Sequence, residues 1–440
     1  MVIVFALVAL VVVAVMAGLH WYVWRRLVRD TTRKSGIARR AGTAVFVAGP
    51  VLMVAALVAE RSGAPFWLQR TLAWPGFLWM ALALYLLLAV LAGEVVRPLL
   101  RRLVERRTPP APEAAVAEVA VPAGATAQES EPPAPAPTRP APAAPVRSDA
   151  APTEPAREGT APLAPAPSRR LFVSRVVGGA AATAAVATVG HGTYGVLRGP
   201  RVKRVTVPLA KLPRSADGYR IAVVSDIHLG PVLGRDFAQR VVDTVNGTQP
   251  DLIAVVGDLV DGSVKDLGPA AAPLSRLSAR HGSFFVTGNH EYFSGAEQWV
   301  EEVRRLGLHP LENARTELPG FDLAGVNDVA GESEGHGPDF GRALGDRDRA
   351  RACVLLAHQP VQIHDAVRHG VDLQLSGHTH GGQLWPGNLV AEAANPTVAG
   401  LERYGDTQLY VSRGAGAWGP PTRVWAPSDI TVIELRSARA

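Results

Sequence analysis

Seven side chains of types that bind divalent metals lie in short polar motifs in the second half of the chain: Asp226, His228, Asp258, Asn289, His358, His378 and His380. Carboxylate and imidazole ligands without a thiolate suit Mn, Fe or Zn better than Cu(I) or an iron–sulfur cluster. Two divalent cations about 3.5–4 Å apart clamp the oxygens of a phosphate ester and acidify a bridging water. A carboxylate such as Asp258 can bridge cations that lie so close together. The set therefore indicates metal-assisted hydrolysis of phosphate esters.

The elements that must position these side chains are short apolar strands that alternate with amphipathic helices. We predict strands over 219–224, 252–256, 283–287, 353–356, 373–375 and 409–411, and helices over 235–247, 295–306 and 361–369. Polar motifs directly follow five of these strands, and in an α/β domain such loops meet at one edge of the sheet. One such motif alone is usually a turn or a cap, but five in order favour a shared metal centre.

The motifs are Asp226-x-His228, Gly257-Asp258-x-x-Asp261, Gly288-Asn289-His290-Glu291, a separate His358 and Gly377-His378-Thr379-His380-Gly381-Gly382. Together they resemble the motif set of the calcineurin-like metallophosphoesterases, and the membrane-attached arrangement resembles the YkuE/YaeI-type branch. The resemblance covers about residues 205–436. It implies an α/β metallophosphoesterase sandwich of two mixed β-sheets flanked by helices.

The resemblance also implies a role for each motif residue. One metal would be held by Asp226, His228 and His380. The other would be held by Asn289, His358 and His378, with Asp258 as the bridge. His290 would lie outside the metal shell and would donate to the phosphate or protonate the leaving oxygen. Asp261 and Glu291 would orient a histidine or the backbone behind the ligands.

Three hydrophobic segments, about 1–24, 41–59 and 72–96, are long enough to span a membrane, which takes about 20 residues. Arginines cluster between the first two segments and after the third, whereas the short loop 60–71 has only Arg61 and Arg70. By the positive-inside rule the arginine-rich sides are cytoplasmic and the N-terminus faces out. We therefore predict an α-helical transmembrane region over residues 1–107.

Residues 108–168 are rich in proline and alanine and cannot bury enough apolar area to fold, so we predict a disordered linker. A fourth hydrophobic segment, 169–197, begins at Arg169 and Arg170 and resembles a twin-arginine export signal placed inside the chain. The alternative is an ordinary fourth span. Either interpretation predicts a multi-pass protein of the cytoplasmic membrane with the domain 205–436 on the extracytoplasmic side. The first adds the twin-arginine export machinery as a partner.

Composition limits the partners of the chain. The net charge is +6 and 48% of the residues are hydrophobic. Because the arginines cluster beside hydrophobic segments, the charge indicates membrane topology, and we expect no nucleic-acid partner. Cys353 is the single cysteine, which excludes an internal disulfide, and its apolar surroundings indicate a small buried side chain.

These observations predict a membrane-anchored, metal-dependent phosphoesterase that hydrolyses phosphomono- or phosphodiesters, with lipid-linked or cell-envelope esters as preferred substrates. Three alternatives remain on the same scaffold: a phosphoprotein phosphatase, a nuclease and a non-catalytic membrane sensor. The complete ligand set argues against the sensor. The polar stretch 327–348, which contains Asp328 and His336, has no periodicity. We hypothesise that this stretch is a flap that shapes substrate choice.

Overall fold

A computed structural model describes residues 2–34, 36–106 and 169–438, so the predicted linker lies outside the described residues. The helices are α1 (Val2–Trp24), α2 (Ile37–Arg61), α3 (Phe66–Arg106), α4 (Arg169–Leu197), α5 (Arg235–Gly247), α6 (Val264–Ala271), α7 (Asn289–Ser294), α8 (Ala296–Arg305), α9 (Phe340–Leu344), α10 (Ile363–Arg368) and α11 (Gly387–Ala394). The strands are β1 (Arg201–Leu209), β2 (Tyr219–Val224), β3 (Leu252–Val256), β4 (Ser283–Val286), β5 (His309–Pro310), β6 (Ala314–Leu318), β7 (Phe321–Gly325), β8 (Ala352–Leu356), β9 (Leu373–Ser376), β10 (Gly400–Tyr404), β11 (Thr407–Val411) and β12 (Asp429–Ser437).

The strands form two six-stranded sheets with the orders β1-β12-β2-β3-β4-β5 and β10-β11-β9-β8-β7-β6. In the first sheet β2 to β5 are parallel, whereas β12 pairs antiparallel with β2. In the second sheet β11, β9, β8 and β7 are parallel, and the edge strands β10 and β6 are antiparallel to their neighbours. Both sheets are mixed, and helices cover their outer faces. The predicted fold class is therefore confirmed.

Successive side chains of a strand point to opposite faces, and this alternation separates the hydrophobic cores. Val223 of β2 packs with Leu375 of β9 between the two sheets. Val224, the next residue, packs on the outer face against α5, α6 and α8. Leu355 of β8 packs in the same way against α9 and α10, where Cys353 is also fully buried. The layers therefore run helices, sheet, sheet, helices.

Among the described residues, four helices are long and apolar enough to cross a membrane: Leu10–Arg29, Ile37–Arg61, Phe66–Leu103 and Arg170–Leu197. Their arginine-rich ends meet, since Arg26 pairs with Glu94 at 3.0 Å and Arg175 donates to the carbonyl of Thr31 at 3.0 Å. Helix α3 has 41 residues and extends beyond the predicted segment 72–96 at both ends. One end of this bundle is thus polar and rich in arginine.

The opposite end of the bundle contacts the α/β domain. Val232, in the loop after β2, packs against Ala56 of α2 and against Ala73 and Phe77 of α3. Phe66, at the start of α3, packs against the outer core of the first sheet. The loop that carries the first polar motif therefore lies against the hairpin formed by α2 and α3.

Candidate metal centre

The polar motifs meet at one edge of the sandwich, where the carboxyl ends of β2, β3 and β4 in one sheet face those of β8 and β9 in the other. Backbone hydrogen bonds join these loops: the Asp226 amide donates to the carbonyl of Gly257 at 3.1 Å. The Gly377 amide donates to the carbonyl of His358 at 2.9 Å. All seven sequence-predicted ligands come together at this edge.

One group of potential ligands consists of Asp226, His228 and His380, whose ligand atoms lie within 4.8 Å of one another. The Nε2 atoms of His228 and His380 are 3.0 Å apart. Nε2 of His380 lies 3.4 Å from Oδ1 of Asp226. All three side chains are buried, so they converge on one point that water reaches poorly.

A second group consists of Asp258, His358 and His378. Nε2 of His358 lies 3.1 Å from Oδ2 of Asp258, and Nδ1 of His378 lies 3.0 Å from Oδ1 of Asn289. The same Oδ2 of Asp258 is 3.7 Å from Nε2 of His228, which belongs to the first group. The carboxylate of Asp258 therefore lies between the two groups, where a bridging ligand has to be.

The donor and acceptor roles of His358 test whether these residues fit a cation. Its Nδ1 is 2.8 Å from the carbonyl of Val256, which can only accept, so Nδ1 carries the proton of a neutral ring. Nε2 is then an acceptor, is buried without a hydrogen-bond partner, and faces the carboxylate of Asp258. The two atoms need a cation between them. Without a metal ion this is a proton, since burial acts to lower the pKa of His358 but Asp258 raises it well above its ordinary value, and a metal ion can take its place. The donor set therefore fits divalent metal ions.

Burial and neighbouring charges shift the pKa values of the candidate ligands in different directions. Burial raises the pKa of Asp226. Burial acts to lower the pKa of His358, but the carboxylate of Asp258 raises it. Burial acts to raise the pKa of Asp258, but the imidazole of His358 beside it holds that pKa well below its ordinary value. Burial, together with the charge of His358, lowers the pKa of His378 to about 4. Burial also lowers the pKa of His380, well below its ordinary value, with His228 and Arg423 acting in the same direction. The imidazoles of His378 and His380 are therefore neutral at pH 7 and can serve as ligands.

Asp261 lies behind the ligands and contacts two histidines with one oxygen. Its Oδ1 is 2.8 Å from Nδ1 of His228 and 2.7 Å from Nδ1 of His290. This contact turns Nε2 of each ring away from Asp261. Burial acts to lower the pKa of His290, but the hydrogen bond to Asp261 raises it to about 9. His290 therefore lies beside the centre with a pKa that favours its charged form at pH 7.

Comparison with known proteins places this centre in a family. A family model described as calcineurin-like phosphoesterase matches residues 219–382, which include every motif. The chain is 40% identical over 262 residues to a transmembrane protein with metallophosphoesterase domain from Danio rerio, covering 56% of this chain and 60% of that protein. An uncharacterized metallophosphoesterase of Helicobacter pylori strain J99 is 39% identical over 248 residues, 56% of this chain and 66% of the relative.

A third relative, the uncharacterized metallophosphoesterase YkuE of Bacillus subtilis, is 30% identical over 284 residues, 61% of this chain and 98% of YkuE. The chain belongs to the calcineurin-like phosphoesterase family. The resemblance predicted from the motifs is therefore confirmed. The matches cover less than two thirds of the length of the zebrafish and Helicobacter relatives. What is shared with them is a part that includes the phosphoesterase domain.

The phosphoesterase centre holds most of its ligands in a strained backbone conformation. Five of the seven have left-handed φ values between 48° and 71°: Asp226, His228, Asp258, His378 and His380. Such values are uncommon for residues other than glycine and cost about 1–3 kcal/mol each. Strain of this kind persists only where the surrounding structure imposes it, and it clusters at functional sites.

Two glycines let the phosphoesterase loops approach one another. A Cβ atom at Gly377 would lie 1.8 Å from Oγ of Ser225, and one at Gly288 would lie 2.3 Å from Oδ1 of Asp258. No side chain fits at either position. The glycines of the motifs are therefore needed because the loops pack against each other more closely than any Cβ allows.

Glu291 holds the loops of the candidate metal centre together through hydrogen bonds to their backbone. Its buried carboxylate accepts hydrogen bonds from the backbone amides of Asp258 at 3.0 Å, Leu259 at 2.8 Å and Gly288 at 2.6 Å. These bonds tie the start of α7 to the loop after β3. Glu291 thereby orients the backbone of Asp258, the role that the resemblance implies.

Sequence reasoning missed Arg423, which is buried and reaches the centre from the loop before β12. Its guanidinium lies 3.1 Å from Nδ1 of His380, and it donates to the carbonyl of His380 at 2.9 Å and to that of Gly416 at 2.6 Å. Trp418, in the same loop, was also missed and stacks edge-on near His290 at 5.9 Å. Neither residue follows a strand directly, so no spacing signal marks them.

The stretch 327–348, which we hypothesise to be a flap, contains regular structure although its sequence has no periodicity. It contains a short 3-10 helix, Val329–Glu334, and the helix α9. The side chain of Asn313 donates to the carbonyl of Gly337 at 2.9 Å and accepts from the amide of Asp339 at 2.9 Å. The hydroxyl of Tyr292 donates to the carbonyl of His336 at 3.2 Å. Its role in substrate choice stays a hypothesis.

Proposed function

We propose that the chain is a membrane-anchored, metal-dependent phosphoesterase that hydrolyses phosphomono- or phosphodiesters. The observation that supports this most directly is the buried, unpaired Nε2 of His358 facing the carboxylate of Asp258. Two divalent cations, of Mn, Fe or Zn by the chemistry of the donors, would clamp the phosphate oxygens and acidify the attacking water when bound. Hydrolysis would then need no covalent enzyme intermediate.

The ligands divide between two positions in this proposal. Asp226, His228 and His380 hold one cation. Asn289, His358 and His378 hold the other. Asp258 lies between the groups and serves both, because its Oδ2 is within 3.7 Å of a histidine nitrogen on either side.

His290 acts on the leaving group in this proposal. Its Nδ1 is hydrogen-bonded to Asp261, which leaves the proton on Nε2 for transfer to the leaving oxygen. The raised pKa, about 9, keeps that proton in place at neutral pH. A positioned general acid of this kind contributes about 10²–10⁴-fold to the rate.

The phosphoesterase domain lies on the extracytoplasmic side in this proposal. The arginine-rich helix ends, where Arg26 meets Glu94 and Arg175 meets Thr31, are at one end of the bundle. The domain contacts the other end, and the positive-inside rule makes the arginine-rich end cytoplasmic. Helix α4 begins with Arg169 and Arg170. On the basis of this pair we propose the twin-arginine export machinery as a partner.

We further propose lipid-linked or cell-envelope phosphoesters as substrates, because anchoring raises the concentration of such esters near the centre. The test uses the full chain, purified with its helices. Its metal content is measured by mass spectrometry beside hydrolysis of chromogenic bis-ester and mono-ester substrates. We expect two equivalents of Mn, Fe or Zn and metal-dependent hydrolysis of at least one ester class. A protein that binds none of these metals, or that is loaded and hydrolyses neither class, would contradict the proposal.

A further inference from the structure

Helix α11 follows the last metal-ligand motif and exposes apolar side chains. None of its residues is buried. Leu389 is 60% exposed and Val390 is 73% exposed. A helix at the surface of a water-soluble domain turns its apolar side chains towards the core. Helix α11 does not, so its apolar residues need another environment.

Two tryptophans extend this apolar surface. The rings of Trp385 and Trp425 are 5.0 Å apart, and Trp425 is 78% exposed. Tryptophan is enriched where a protein meets the boundary between the hydrocarbon and the headgroups of a bilayer. We call residues 384–394 together with Trp425 the apolar ledge.

The apolar ledge is continuous with the candidate membrane helices. The hydroxyl of Tyr85 in α3 donates to the carbonyl of Trp385 at 3.0 Å. Leu384 packs against the hydrophobic cluster shared by α3 and α4. Beside it, the hydroxyls of Thr193 in α4 and Thr422 are 2.7 Å apart. Tyr85 and Thr193 lie inside apolar segments long enough to span a membrane, so the ledge lies directly beside these segments.

The ledge is also joined to the metal centre. Helix α11 begins directly against Gly382, since a Cβ atom there would lie 2.3 Å from Cα of Asn388. Gln383 donates to the carbonyl of Trp418 at 2.9 Å, and the ring of Trp418 lies beside His290. Trp418 is 46% exposed, so an apolar surface continues from the ledge to the rim of the centre.

We propose that the apolar ledge is inserted into the outer part of the bilayer beside α3 and α4, and that it holds the metal centre at the lipid surface. The partner is the lipid itself. The proposal rests on the membrane anchoring in the proposed function, and only the comparison of rates below also needs the hydrolytic activity. Burial of Leu389 and Val390 in hydrocarbon removes apolar area from water. The resulting gain in free energy favours contact between the domain and the membrane.

The test places an environment-sensitive fluorophore on a cysteine introduced by Val390→Cys in the full chain, reconstituted in lipid nanodiscs. The natural Cys353 is fully buried, so the unsubstituted chain serves as the labelling blank. Leu91→Cys, at an exposed position of α3, reports on the span. Asp406→Cys, in the turn between β10 and β11 at the opposite edge of the sheet from the centre, reports on the aqueous side.

Quenching by lipids that carry a spin label on the acyl chain is compared with quenching by aqueous iodide. The label at 390 is expected to lose most of its emission to the lipid quencher, as at 91, and little to iodide. The label at 406 is expected to do the reverse. If 390 behaves like 406 while 91 is quenched by lipid, the ledge is not inserted although the anchoring holds. If 91 itself is quenched by iodide, the anchoring fails.

A second measurement links the ledge to the site. Val390→Glu is compared with the unsubstituted chain on an ester embedded in the nanodisc and on a water-soluble ester. We expect a loss of rate with the embedded ester alone, because a carboxylate is costly in hydrocarbon. Equal rates of the two proteins on the embedded ester would overturn the role of the ledge in holding the centre at the lipid surface.

Discussion

The two groups of candidate ligands, which we call the first and second halves of the centre, are held in place by different kinds of side chain and main-chain group. The first half is Asp226, His228 and His380, and the second is Asp258, His358 and His378. In the first half, His228 contacts the carboxylate of Asp261 and His380 contacts the guanidinium of Arg423. In the second half, His358 donates to the main-chain carbonyl of Val256. The first half thus depends on charged side chains from distant parts of the chain. The second depends mainly on the strands themselves.

This difference predicts unequal sensitivity to substitution. Groups that contact the far side of a metal-binding histidine set the orientation and basicity of its ring. Substitution of a side chain that contacts the histidines of the first half should weaken metal binding in that half alone. The strand carbonyl that contacts His358 cannot be removed by any side-chain substitution. Asp258 is shared by both halves and should show no such difference.

The largest expected effect comes from Asp258→Asn, which removes the shared charge with little change in size. We expect both metal equivalents and the hydrolysis of chromogenic esters to be lost together. Metal analysis and activity of the same preparation test this expectation. Asp328→Asn is the matched control, since Asp328 is buried close by but belongs to neither ligand group, and it should retain metal. Loss of a single equivalent in Asp258→Asn would break the assignment of Asp258 as the shared ligand.

The next effect is on rate without loss of metal. His290→Gln removes the proton donor but leaves both ligand groups intact, so kcat should fall by about 10²–10⁴-fold with unchanged metal content. Kinetics on a substrate with a poor leaving group should show the full loss, because such a group most needs a proton. His309→Gln, at an exposed position of β5 away from the centre, is the control. If His290→Gln also emptied the centre, His290 would be a ligand and not a proton donor.

Arg423→Met tests whether the two halves of the centre bind metal independently. It removes the guanidinium that donates to the backbone carbonyl of His380 and holds that residue in place, and we expect a loss of about 10–100-fold in affinity for one metal equivalent while the other binds as before. A stepwise manganese titration of the chelator-treated protein measures the two affinities. Arg423→Lys keeps the charge and should recover part of the loss. If Arg423→Met lowered the metal affinity of both binding steps equally, the two halves would not be independent.

The smallest effect is on stability. Glu291→Gln replaces a carboxylate that accepts three backbone amides by a group that turns a donor towards one of them. We expect the free energy of unfolding to fall by about 1–3 kcal/mol, which thermal unfolding in detergent will register as a lower Tm. Glu301→Gln, on the exposed face of α8, is the control and should leave the Tm unchanged. An unchanged Tm in Glu291→Gln would mean that those bonds do not hold the loop.

The parts of the fold that sequence could predict are the inner strands and the ligands that follow them. The runs of β2 and β3 were predicted with the bounds observed, Tyr219–Val224 and Leu252–Val256, because each is short, buried at every residue except Arg220, and followed at once by a polar motif. The edge strand β1, Arg201–Leu209, was missed because its exposed residues are charged. Its parallel partner, β12, is also far away in the chain, so no local pattern pairs them.

Of the two charged side chains that contact the histidines of the first half, only one could be predicted from the sequence. Asp261 lies in a motif and was predicted to orient a histidine. Arg423 lies in a loop that returns from the second sheet to the first, and its contact with His380 depends on the path of that loop. Proximity of this kind is set by the packing of whole layers. A single sequence carries no periodic signal for it.

The contact between Val232 and the hairpin of α2 and α3 bears on how the protein can be handled. An excised domain that began near residue 200 would leave Val232 and, on its other flank, Leu384 and Val424 without their covering helices. Such a fragment would expose apolar side chains on both sides of the candidate metal centre and would tend to aggregate. The helices therefore cover part of the surface of the α/β domain, and the full chain is the better form to purify.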